Sequence, residues 1–163
     1  MKMLSDEETK LWCRVNEITL TERGVPDRSD PELTFDIPCD AQKRVALVTR
    51  AMRSFSVEPV FLVLFDNWGI WPSGQRMHIF DRIRLSYGET RSLKQSPGQL
   101  FDQAEIEDAV SFVTIGILFL WDCYVVTANR TKMLFLSHDE HGLAKGLKFE
   151  LEGASSESQR RLQ

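Results

Sequence analysis

Three observations predict an α+β fold for this chain. Residues Ala109 to Trp121 have helical length and almost no polar side. Val60 to Phe65, Cys123 to Thr127 and Lys132 to Leu136 read as strands, and only Ala128-Asn129-Arg130-Thr131 separates the last two, the spacing of an antiparallel hairpin. The hairpin argues against a purely parallel arrangement and leaves a doubly wound α/β sheet as the alternative. The expected architecture is a small, mainly antiparallel sheet with packed helices and one central apolar helix.

Taken in order, Ser5-Asp6-Glu7-Glu8 has the form of a capping box, and Leu11, Val15 and Ile18 follow at helical spacing, so a helix is expected from Asp6 to Thr19, in competition with a strand over Val15 to Thr21. Gly24-Val25-Pro26-Asp27 and Ser29-Asp30-Pro31 give a polar connection. Leu33 to Ile37 alternates as a half-buried strand. Asp40 caps a helix with Val45, Val48, Met52 and Phe55 in one stripe and Lys43, Arg44, Arg50 and Arg53 facing elsewhere. After the Val60 to Phe65 strand, a helix from Gln75 to Tyr87 turns Met77, Phe80, Ile83 and Tyr87 inward and stops at Gly88. Ser96-Pro97-Gly98-Gln99 reads as a type II turn, and Asp102-x-x-Glu105 opens the central helix of Asp102 to Trp121. After the hairpin, a short final helix is expected to begin after Ser137.

The chain has 163 residues, 42% hydrophobic and 27% charged, enough for one globular domain over residues 1–151, with residues 152–163 too polar to fold. The start, Met1 to Glu8, turns acidic without an apolar core, so no secretory signal is expected, and the run of Ala109 to Trp121 is too short to span a bilayer. Cys13, Cys39 and Cys123 lie far apart without metal-ligand spacing, which fits reduced thiols in the cytoplasm. The net charge of −4 is uneven: residues 41–94 hold 9 basic and 4 acidic groups, between two acidic flanks. Such a middle either binds anions or is neutralised when the three parts pack together.

The feature that most suggests a site is Asp66-Asn67-Trp68-Gly69-Ile70-Trp71-Pro72-Ser73-Gly74, which puts two of the four tryptophans into a loop of turn residues at the end of a strand. The indoles either face a partner or plug the gap between strand and helix. Arg76, Arg82, Arg84, Arg91 and Lys94 follow, offset only by Asp81 and Glu89, which adds guanidinium forks to the aromatic surface. Solvated pairing with the acidic flanks is the plainer account of these arginines. The candidate partner-binding residues are therefore Asp66, Asn67, Trp68, Trp71, Arg76, Arg82 and Arg84, suited to a protein or an acidic small molecule. Nucleic acid is not favoured, because the overall charge is not basic.

A second cluster, Ser137-His138-Asp139-Glu140-His141, holds two of the three histidines. His138 and His141, with Glu140 and the remaining histidine His78, make an alternative metal or acid/base set. The spacing is not that of HExxH, and Ser137-x-x-Glu140 also reads as a helix cap. No GxSxG elbow, GxGxxG or Walker A loop occurs, so no cofactor and no catalytic residue is expected. The function this supports is a small intracellular, non-catalytic binding protein (an inhibitor, an immunity-type protein or an adaptor) that uses the Trp/Arg-rich segment. The alternative is a metal-assisted hydrolase at the Ser137–His141 cluster.

Overall fold

A computed structural model describes residues 1–68 and 74–148. In chain order the elements are β1 (Lys2–Leu4), α1 (Asp6–Val15), β2 (Leu33–Asp36), α2 (Ala41–Arg53), β3 (Val60–Asp66), α3 (Gly74–Ser86), β4 (Gly98–Asp102), α4 (Ile106–Leu118), β5 (Asp122–Thr127), β6 (Met133–Leu136) and β7 (His141–Lys145). The strands form one sheet in the order β1-β4-β3-β5-β6-β7-β2, with every neighbouring pair antiparallel. The expected α+β class with a small antiparallel sheet is thus the one adopted. No helix among the described residues is long and apolar enough to cross a membrane.

β3 lies inside the sheet and is buried on both faces, which is why its sequence is an unbroken apolar run. Phe61, Val63 and Phe65 point to the face covered by α2, α4 and Phe80 of α3, while Leu62 and Leu64 meet Cys13 of α1, Ile18, Val25, Tyr124 and Phe135 on the other. The larger core stacks rings edge to face, with Phe80 against Phe65, Phe112 and Trp121.

The helix starts match their local signals better than the helix ends do. Ser5 and Glu8 close a capping box, Ser5 N–H donating to Glu8 Oε2 at 2.8 Å and Glu8 N–H to Ser5 Oγ at 3.1 Å. α1 nevertheless ends at Val15 rather than Thr19, because Glu17 turns left-handed (φ 57°) and sends Ile18 into the core as the start of a connection. In α2 the inward stripe is rotated from the expected one: Val45 is exposed, while Arg44 is 6% exposed and faces in. Asp102 and Glu105 cap a single 3₁₀ turn, Gln103–Glu105, before α4. α4 packs beside α2 on one face of the sheet with Ala109, Phe112, Val113 and Ile117 inward, but Glu107, Ser111 and Leu118 fall on an exposed stripe, so it is not enclosed on every side.

Three strands depart from the sequence reading. β1 was not visible in the sequence at all. The Pro97-Gly98 turn is instead the entry to β4, where a Cβ on residue 98 would overlap Thr9 and Leu4, so glycine is needed for close approach rather than for turning. No helix follows Ser137: the chain turns tightly, Ser137 N–H bonding His141 C=O at 2.8 Å, and returns as β7. Trp71 and the polar tail expected over residues 152–163 lie outside the described residues.

Candidate functional site

Asp66 is the last residue of β3 and pairs in register with Asp122, the first of β5. The chain leaves the sheet at Asn67, in the left-handed region (φ 57°), a conformation asparagine tolerates better than most residues. Its amide is held from both sides. Arg23 Nη2 donates to Asn67 Oδ1 at 2.6 Å and ion-pairs with Asp66 Oδ2 at 2.7 Å, while Asn67 Nδ2 donates to Asp122 Oδ2 at 2.5 Å. The other Asp122 oxygen accepts the backbone N–H of His138 at 2.8 Å and lies 2.7 Å from ring Nδ1. Asp122 is 4% exposed, so a carboxylate in that position needs these partners. His138 Nε2 faces the exposed Asp139 at 3.2 Å, placing the ring between two carboxylates. Trp68, the next residue of the turn, is half-buried: part of it packs on the larger core and part stays accessible.

The two sequence clusters therefore meet, the tryptophan turn through Asn67 and the histidine cluster through His138. The residues that join them, Asp122 and Arg23, were not singled out in the sequence. A single carboxylate between Trp121 and Cys123 is a usable signal, since a charge in an apolar run needs partners; Arg23 carried none.

α3 continues the site on its outer side. His78 and Arg82 are exposed, and Ile79 and Leu85 are exposed by 51% and 56%. A groove of about 410 Å³ runs between this helix and the 89–92 segment, lined by His78, Arg82, Leu85 and Arg91 among others. Arg84 is not part of that surface. One helical turn after Phe80 it shares the inward face, is 0% exposed, and donates to Ser96 C=O at 2.6 Å; burial lowers its pKa. Nearby, hydrogen bonds from Arg91 hold the Glu89 carboxyl down at about 2. Of Arg76 only the backbone in α3 is described.

The alternative metal set is dispersed. His138 is tied to Asp122, Glu140 pairs with Arg44 at 2.7 Å, His141 lies edge-on to Phe135, and His78 is on α3. Among the described residues no group of three His, Cys, Asp or Glu side chains is placed to hold a metal ion. The three thiols are free; burial raises Cys13 to about 11 and raises Cys123 strongly, and a hydrogen bond to Glu140 raises Cys39, so none is poised as a thiolate nucleophile. Comparison with protein-family models, with curated proteins and with solved structures finds no match to this chain.

Proposed function

We propose that this chain is a non-catalytic recognition protein of the inhibitor, immunity or adaptor kind, which binds an acidic protein surface through the Asp66–Trp68 turn and the outer face of α3. The observation that carries the reading is the composition of that face: Ile79 and Leu85, both more than half exposed, are interleaved with His78 and Arg82. Apolar side chains at this exposure are ordinary when isolated, but Leu85 shares the stripe of His78 and Arg82, with Ile79 on the adjoining side of the helix, and apolar surface beside a guanidinium suits a partner that offers both a carboxylate and an apolar patch. The free state of Cys13, Cys39 and Cys123 supports a cytoplasmic place of action. The metal-assisted hydrolase has less support, because His138, Glu140 and His141 each face a different partner and His78 is exposed on α3.

The test uses the full chain immobilised against an extract of its source cells, beside the Ile79→Asp/Arg82→Glu double variant. Both side chains are exposed, so the melting temperature should be unchanged while retention of an acidic protein falls by roughly 30-fold or more, equivalent to about 2 kcal/mol. Equal retention by parent and variant would remove the proposal.

A further inference from the structure

We infer that His138 and Asp122 are positioning residues for recognition by Trp68, so that the turn between β6 and β7 sets how the tryptophan turn is presented. The inference rests on the recognition reading above. Asn67 determines the direction in which Trp68 leaves the sheet, and it does so from a left-handed conformation that asparagine tolerates and that the bonds to its side chain select here. Its side-chain oxygen is taken by Arg23 and its amide by Asp122. Asp122 in turn can point one oxygen at Asn67 because the other is fixed by the His138 ring and backbone N–H. The order of support runs from His138 to Asp122 to Asn67 to Trp68, linking positions 71 residues apart by bonds that are buried or partly buried. Buried polar chains of this kind give one arrangement when complete and several when a link is missing. Loss of the His138 ring leaves that oxygen with the backbone N–H alone and loosens the carboxylate, and Asn67 then relaxes toward the right-handed region and swings the indole.

The experiment reads Trp68 in the free protein. The full chain is labelled with 5-fluorotryptophan, and the Trp68 fluorine resonance is identified by its loss in Trp68→Phe. In His138→Ala the Trp68 line is expected to shift or split while the lines of Trp12 and Trp121 stay in place. His138→Gln, whose amide can donate to Asp122 in place of the ring, is expected to restore the parent line; an effect of the lost aromatic ring alone would persist in this variant. A Trp68 line unmoved in His138→Ala, one that moves together with those of Trp12 and Trp121, or one that His138→Gln fails to restore would overturn the inference. Because no partner is present, this readout is independent of the capture test. If both readings hold, His138→Ala also weakens capture about 10-fold, that is by about 1.4 kcal/mol, and His138→Gln recovers it.

Discussion

Residues 5–8 and 137–140 of this chain share one pattern, a serine followed three positions later by glutamate, and they occupy different worlds. In the first, Ser5 and Glu8 satisfy each other's backbone N–H groups, and the hydrogen bond from Ser5 N–H holds the Glu8 carboxyl below its ordinary range. Everything the motif needs is within four residues, and a helix follows. In the second, Ser137 Oγ still accepts a local N–H, from Asp139 at 3.1 Å, but Glu140 is claimed from elsewhere by Arg44, which also donates to Pro38 C=O, and His138, between them, by Asp122. Glu140 itself is left-handed (φ 64°), and Gly142 fits under the Phe35 ring, so the chain reverses into a strand. A capping box works when its partners have nothing better to bond. Where a buried arginine and a buried aspartate compete for the same segment, the distant contacts prevail, since leaving either unpaired costs more than one cap contributes.

If this account holds, removing the distant partner should cost more than removing a local one. Asp122→Ala leaves the His138 N–H, its ring and the Asn67 amide without their acceptor and should destabilise by about 3 kcal/mol in denaturant unfolding, against about 1 kcal/mol for Asp102→Ala at the other well-formed cap. Similar losses for the two would dissolve the distinction. Gly142→Ala tests the packing half of the argument: the added methyl meets the Phe35 ring, and about 2 kcal/mol is expected, while a neutral result would mean that β7 does not depend on this fit. Glu140→Ala should cost about 1.5 kcal/mol because it removes the carboxylate that neutralises the buried Arg44, and the loss should be largely relieved in Arg44→Met/Glu140→Ala, where no buried charge remains; an unrelieved double variant would assign the cost to the turn instead.

Glu89 stands between the two cases, a buried carboxylate whose partners Arg91 and Ser96 are near in sequence. Its contribution is present in full at neutral pH and is lost only in acid. The folded pKa lies at about 2 and the ordinary value at 4.5, so as pH falls the unfolded chain takes the proton first. The stability it contributes is complete above about pH 4.5 and is lost progressively toward about pH 2. Melting temperatures across that window should fall less steeply in Glu89→Gln than in the parent, and parallel curves would show that Glu89 is not the group being titrated.

The legible part of the candidate site was its composition. Asp66, Asn67 and Trp68 stood out because turn residues and an indole follow an apolar strand, and Arg82 because it sits on a helix rich in cations; both readings depend on neighbours in sequence. Arg84 shares its charge with Arg82, but the helical period that turns Phe80 inward carries residue 84 with it, so phase and not charge decides its place. Asp122 and Arg23 could not be placed, since their partners are 55 and 44 residues away.

By itself the sequence determined the antiparallel α+β class, the strands β2, β3, β5 and β6, the starts of α1 and α2 and the cap before α4, because hydrophobic period, hairpin spacing and capping bonds act over a few residues. Only the tertiary structure decided that the segments at Gly98 and His141 become strands, that Arg44 and Arg84 turn inward, and that the tryptophan and histidine turns meet at Asp122. Those outcomes turn on which distant group satisfies a buried charge, amide or gap, and the free energy of that choice is not present in any short stretch of the chain.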